Sequence, residues 1–392
     1  MAQPQTVEPS AAIVPPAPSA VLSYAAAQSM KAAQALWPAA DVRLGEVAPS
    51  VTSYVQQVEI DGRSLFAKCS ILGVSLVSVL RGTCGDWETV KAAQAAYSSS
   101  PKALLRRETA QLRALAAAGV RVPWVAGYQD GVLFTEAVDG PNLADLVLRE
   151  PHRTAELLLG TVDELETGLG RPGTAACADR APIGERSISA TFQRKFNGLS
   201  GATYLHHTGH GEVLTAVVSR LRQARMQPVV ADLPVIFGDL KPEHVVFDGQ
   251  GRAVFLDPGL QRGRPCADTA KLLSRTVLNL VSRPTSKAGT HAVLSGVSSF
   301  IIALCTRLAV EEQEAWLRQL VLLWLMDSTN ILTTYLSAPA GLPLSADAAA
   351  VVGRVAAVVG MLDHASQRVT SRAPADVWWR MCLDDALQAV AA

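Results

Sequence analysis

The segment FGDLKPEHVVFDGQGRAVFLDPGL, Phe237 to Leu260, decides the fold. Inside it two short β-prone runs, VVF and RAVF, flank Gly249, Gln250 and Gly251, which is the pattern of a β-hairpin. A hairpin of this length carries the chain out and back. It leaves Asp239 before the first strand and Asp257 after the second, each on a strand-edge turn and near the other in space. Two carboxylates held this way suit metal-assisted phosphoryl transfer, in which one orients the attacking hydroxyl and the other grips Mg²⁺ on a nucleotide. The alternative is an ordinary hairpin with two solvated turn aspartates.

FGDLKPEH resembles the catalytic loop of the kinase superfamily, H-R-D-L-K-P-E-N in protein kinases and H-G-D-x-x-x-x-N in aminoglycoside phosphotransferases and choline kinases. LDPGL is similar to their D-F-G or I-D-W/F-x segment. The resemblance implies that Asp239 is the catalytic carboxylate and that Asp257 and His244 hold metal, His244 standing five residues after Asp239 where the family has its second ligand. It further implies that Lys241 offsets charge on the moving phosphoryl group, as the lysine two after the catalytic Asp does in Ser/Thr protein kinases. Three positions depart from the family pattern. Phe237 replaces a His with a mostly structural role, His244 replaces Asn as in macrolide phosphotransferases, and Pro258 replaces the aromatic of D-F-G, which weakens any active/inactive flip.

Composition sets the frame. At 392 residues the chain is long enough for two lobes with real cores. The 35 basic and 35 acidic residues balance, which argues against a dedicated nucleic-acid binder. Six cysteines without a CxxC pair read as reduced thiols rather than a disulfide frame or zinc site. The opening MAQPQTVEPSAAIVPPAPSA lacks the basic and apolar regions of a signal peptide and reads as a disordered tail over 1–20. The apolar runs near residues 295–310 and 317–336 are broken by Arg, Asp or hydroxyl residues and read as core helices, so a cytoplasmic protein without a membrane span is expected.

The expected architecture is α+β, a two-lobed protein kinase-like fold with a small β-rich N-lobe over 21–138 and a larger, mainly helical C-lobe over 139–392. Residues 21–36 read as a helix, and Asp61-Gly62 marks a hairpin between VQQVEI and SLFAK. Lys68 in LFAKCS is costly to bury unless paired. The resemblance puts it on the ATP phosphates, paired with Glu108 of the amphipathic helix PKALLRRETAQLRALAAAG; Glu88 is the rival partner. Ser53, in the glycine-poor SVTSYV, stands where the nucleotide loop is expected, and Glu136 and Val138 of FTEAVDG stand where backbone groups meet adenine. The stretch 71–100 is longer than the family needs and reads as an insertion. Arg180, Arg186, Arg194 and Lys195 form a basic cluster, read as a solvated helix face or a patch for a phosphate or acidic substrate; His206, His207 and His210 read as exposed or capping histidines. The resemblance implies that Asp268, at the head of a helix, braces the catalytic loop, and four helices with core Trp residues are expected from 290 to 392.

The function these features imply is ATP- and Mg²⁺-dependent phosphoryl transfer, with Mn²⁺ as a second divalent ion, to a hydroxyl of a small molecule such as an antibiotic or natural-product metabolite. A Ser/Thr peptide or protein kinase is the first alternative, favoured by Lys241. A pseudokinase-like binding scaffold is the second, kept open by Phe237 and Pro258.

Overall fold

The computed structural model of the chain describes residues 14–197, 204–205, 208–224, 233–369, 371 and 373–392. His206 and His207 lie outside the described residues. The first helix, α1 (Pro18–Leu36), begins three residues inside the expected tail, with Pro18 at its first turn where a missing N–H costs nothing.

A strand not foreseen in the sequence, β1 (Val42–Ala48), precedes the expected hairpin of β2 (Tyr54–Ile60) and β3 (Arg63–Cys69). In YVQQVEI, Tyr54, Gln56, Val58 and Ile60 are buried while Gln57 and Glu59 face water, the period-2 pattern of a half-buried strand. Asp61 and Gly62 both have positive φ (49° and 79°), as a tight primed turn requires. The stretch 71–100 forms two helices, α2 (Leu76–Leu80) and α3 (Trp87–Ser99). Next comes α4 (Leu104–Ala117), which carries Glu108, and then β4 (Val125–Gln129) and β5 (Val132–Glu136). The five strands form one antiparallel sheet in the order β1-β2-β3-β5-β4.

Asn142 caps α5 (Leu143–Arg149), its side chain accepting the Asp145 N–H at 2.9 Å. α6 (Thr154–Leu169), α7 (Pro172–Arg180), α8 (Ile188–Phe196) and α9 (Gly211–Gln223) follow. The chain then makes two ribbons: β6 (Val235–Ile236) pairs with β9 (Gln261–Arg262), and inside that pair β7 (Val245–Phe247) pairs with β8 (Ala253–Phe255). Five helices, not four, complete the chain after α10 (Ala267–Ser282): α11 (Lys287–Cys305), α12 (Val310–Leu336), α13 (Ala346–Gly353), α14 (Val355–Arg368) and α15 (Ala375–Ala391). α13 and α14 meet at a bend of 71°. Arg354 holds that bend by donating to the carbonyls of Val281 (2.8 Å) and Val390 (3.0 Å), a reason invisible in the helical periodicity. Trp324, Trp378 and Trp379 are core residues. α11 is long and apolar enough to cross a bilayer, and in this fold Val293, Val297, Phe300 and Ile301 bury its inner face. The whole is a two-lobed protein kinase-like fold, a small sheet-based lobe above a larger helical one.

The linker between lobes is pinned to the hairpin. Phe247 N–H donates to Pro141 O at 2.9 Å, and Asn142 bridges Val246. Gly140 has φ 144°, and a Cβ there would lie 1.9 Å from the Phe247 carbonyl. Gly140→Ala should therefore cost about 1–3 kcal/mol in urea unfolding. Gly249→Ala, in the open hairpin loop with nothing within 4 Å, should stay within about 0.5 kcal/mol.

Candidate active site

The loop that carries Asp239 is built from the backbone up. Asp268, in the first turn of α10, accepts the N–H groups of Phe237 and Gly238, each at 2.7 Å. Gly259 N–H donates to Phe237 O at 2.7 Å, drawing the two aspartate loops together. Gly238 (φ 79°) permits this approach, because a Cβ would lie 2.1 Å from Gly259 O. Phe237 is fully buried and packs on Phe255 at 6.0 Å between ring centres, so it fills core where the family resemblance expects a His. A single 3₁₀ turn, Pro242–His244, brings His244 back over Lys241, and Leu256 N–H donates to His244 O at 2.8 Å.

Asp239 is buried and faces two ammonium groups. Lys241 Nζ is 3.0 Å from its Oδ2, and Lys271 Nζ is 2.7 Å from its Oδ1. Lys271 also donates to the carbonyls of Gly238 (3.1 Å) and Arg186 (2.9 Å). Burial alone would raise the Asp239 pKa, but Lys241 and Lys271 outweigh it and hold the carboxyl well below the ordinary range. Sequence reasoning missed Lys271. The available signal was its place three residues after Asp268, which puts both on one helix face.

Asp257 sits at φ 56° in the D-P-G turn. Its Oδ2 is 2.7 Å from Lys68 Nζ, which is in turn 3.0 Å from Glu108 Oε1. Lys68 and Glu108 come from paired expectations; Glu88 instead lies on α3 beside Lys91 at 2.7 Å. Burial raises the Asp257 pKa while Lys68, His244 and Arg186 lower it, and the net is a carboxylate ionised at any ordinary pH. A fourth charged group, Arg186, joins here: it donates to Glu108 and to the carbonyls of Asp257 (2.9 Å) and Pro258. The basic cluster is thus not uniformly a solvated face, since Arg186 and Lys195 both turn inward. Lys195 is buried, donating to Thr334 Oγ1 at 2.6 Å.

His244 stands between the two aspartates, Nδ1 3.9 Å from Asp239 Oδ2 and Nε2 3.9 Å from Asp257 Oδ2. Nε2 is 3.4 Å from Lys241 Nζ, and Nδ1 is buried without a hydrogen-bond partner among the described residues. Burial and the Lys241 charge push the His244 pKa down to about 4. Among the described residues no group of three or more His, Cys, Asp or Glu gathers as a metal cage. Asp257 offers the oxygen ligand that Mg²⁺ takes beside water or phosphate oxygens, whereas the His244 imidazole suits a softer transition ion better. The cation now against Asp257 is the Lys68 ammonium, which marks the carboxylate as open to positive charge.

The remaining expected residues stand apart from this network. Ser53 is buried in the β1–β2 turn, where its N–H meets Ser50 Oγ at 3.3 Å. Glu136 turns to Trp124: its N–H donates to Trp124 O at 3.0 Å and its Oε1 accepts the Trp124 N–H at 2.8 Å. The Glu136 N–H is therefore taken by the sheet. Val138 lines, with Arg121, Asp139 and Asp248, a cavity of about 470 Å³ to which none of the Lys68–Asp257 network contributes.

No protein-family model matches the chain, and no curated protein does. Solved structures similar to it include an amicoumacin kinase in complex with AMP-PNP, Ca²⁺ and Ami, at 16% identity and TM-score 0.48, covering 81% of this chain and 88% of that one. A spectinomycin phosphotransferase in complex with ADP and spectinomycin is similar at 8% identity and TM-score 0.45, over 83% and 93%. A Plasmodium vivax ethanolamine kinase is similar at 12% identity and TM-score 0.43, over 83% and 84%.

Two outcomes follow from the charges. Asp239→Asn leaves the buried Lys271 ammonium without its counter-ion and should cost about 3–5 kcal/mol in urea unfolding. Adding Lys271→Met should recover part of that loss; a fully stable Asp239→Asn protein would mean the lysines do not depend on it. For His244, the ordinary pKa of about 6.5 lies above the folded value, so the unfolded chain binds the extra proton first. Its contribution to stability is complete above pH 6.5 and falls by up to roughly 3 kcal/mol as pH drops toward 4. His244→Asn should flatten that slope, measured as unfolding free energy against pH. The same burial keeps the ring neutral through pH 6.5.

Proposed function

We propose that this chain is an ATP-dependent phosphotransferase whose acceptor is a hydroxyl of a small molecule, of the antibiotic or natural-product class. The observation that carries the reading is the Lys68 ammonium lying between the carboxylates of Glu108 and Asp257, with Asp239 reached from Asp257 through His244. Two lobes each supply half of that constellation, and phosphoryl transfer needs positioning and charge more than covalent chemistry.

In this mechanism Lys68 turns from Asp257 to the α- and β-phosphates, and Glu108 keeps it in place. Asp257 and His244 would hold the divalent ion, which would supply positive charge to offset the phosphates. Asp239 accepts the hydrogen bond of the acceptor hydroxyl and aims its oxygen along the line of attack. With its carboxyl held well below the ordinary range by Lys241 and Lys271, it orients the hydroxyl as a carboxylate acceptor. A hydroxyl arriving at Oδ2 competes with Lys241 and frees that ammonium for the phosphoryl oxygens. Val138 and the Ser53 turn are the proposed adenine and phosphate neighbours from the small lobe.

The choice of a small acceptor over a peptide rests on chain length. Only nine residues, Pro258 to Cys266, separate Asp257 from α10. Protein kinases carry a phosphorylated activation loop between the equivalent points, and this segment is already committed to β9 and its turn.

Titration calorimetry with AMP-PNP, with and without Mg²⁺, should show metal-enhanced binding that Asp257→Ala removes and Lys68→Met weakens. Asp239→Asn should lose roughly 10²–10⁴-fold in phosphorylation of an accepted alcohol. Equal metal enhancement in Asp257→Ala, or turnover surviving Asp239→Asn, would overturn these roles. A wild-type protein that binds no nucleotide would return the scaffold reading.

A further inference from the structure

Arg186 lies in a 3₁₀ turn, Gly184–Arg186, between α7 and α8, yet its side chain is only 13% exposed. It reaches three groups of the site: the Glu108 carboxylate, the Asp257 carbonyl at 2.9 Å and the Pro258 carbonyl. Its own carbonyl accepts Lys271 Nζ at 2.9 Å, and Lys271 holds Asp239. The neighbouring residues repeat the pairing in reverse. Arg107, before Glu108, forms an ion pair with Glu185, before Arg186, and also donates to Pro182 O at 2.6 Å. Gln111, one turn further along α4, accepts the Leu260 N–H at 2.7 Å and donates to Leu260 O at 3.0 Å.

We propose that Arg186 is a positioning residue that locks α4 and the D-P-G turn together in the assembled state and leaves Lys68 its charge for phosphate. Two physical arguments support this. A guanidinium is a planar fork that can satisfy a carboxylate and two carbonyls at once, whereas a lysine is a point donor. Glu108, Lys68, Asp257 and Arg186 form a chain of alternating charges in which Glu108 has two cations. With Arg186 on Glu108, the Lys68 ammonium is not fully neutralised there when it leaves Asp257. Pro258, where kinases have an aromatic that packs to set the turn, has no such ring, and the Arg186 bonds to the turn's carbonyls take over that task.

The nucleotide part of this proposal rests on the phosphotransferase reading; the structural part does not. Hydrogen exchange on the ligand-free protein tests the second. In Arg186→Met and Arg186→Gln the amides from Asp257 to Leu260 should exchange at least about tenfold faster, while those of β2 and β3 keep wild-type rates. Arg186→Lys should pair with Glu108 but leave the turn as fast as in Arg186→Met. Unchanged exchange at the turn in all three variants overturns the lock. Calorimetry with Mg²⁺ and AMP-PNP tests the first. Arg186→Met should weaken binding at least about tenfold, Arg186→Lys less, and the double variant Arg186→Met/Glu108→Gln should lose less than the sum of the Arg186→Met and Glu108→Gln losses, because the unpaired Glu108 charge that competes for Lys68 in Arg186→Met is gone. A purely structural role predicts additive losses, and additivity overturns the charge argument. A wild-type protein that binds no AMP-PNP removes the charge argument with the function reading, and the exchange result then decides the lock alone.

Discussion

The interaction on which this structure turns is the burial of the Lys68 ammonium between two carboxylates contributed by different parts of the chain. Lys68 is 8% exposed, and a lone ammonium so deep would lose its proton or unfold the lobe. Glu108 must therefore sit on α4 facing the sheet, and Asp257 must rise from the second lobe to meet it. Each of these demands a further counter-charge. Glu108 brings Arg186, Asp239 brings Lys241 and Lys271, and the lobes close around a set of ions of alternating sign. Such a set is weak evidence for stability, since an apolar core of the same shape could be firmer. Its value is that every member is held in one place before any ligand arrives.

The backbone serves the same end. The Asp239 loop and the D-P-G turn approach as closely as carbonyl contact allows, through Gly238 and the Gly259–Phe237 hydrogen bond. Asp268 anchors the loop from below by taking two N–H groups that would otherwise be buried without partners. Burial pushes its carboxyl up to about 6, against those two bonds. The crossed pairs Arg107–Glu185 and Glu108–Arg186 tie the small lobe's helix to the large lobe at the same level. Together these contacts describe a site assembled by fixed electrostatics rather than by a movable aromatic plug.

Much of this was legible in the chain. The hairpin between Asp239 and Asp257, the Asp61-Gly62 turn and the amphipathic α4 are local patterns set by neighbouring positions, whereas the bracing Asp268 came from the family resemblance, its partners Phe237 and Gly238 lying 31 and 30 residues away. β1 was missed because VRLGEVA has neither clean alternation nor a flanking turn pair; it is half-exposed at a sheet edge, where tertiary pairing decides. The break at Arg354 was missed because its partners, Val281 and Val390, come from distant helices.

By itself the sequence determined where the candidate groups stand: two aspartates around a hairpin, a lysine on a strand and a glutamate on a helix. These follow from periodicity, turn residues and spacing, which act over one or two elements. Only the tertiary structure decided which cations stand beside which anions. Arg186 looked like one member of a basic run and Lys271 like an ordinary helix position, 78 residues from Glu108 and 32 from Asp239. Charge pairing depends on distance in space and on exclusion of water, and neither is written in the order of residues along a chain.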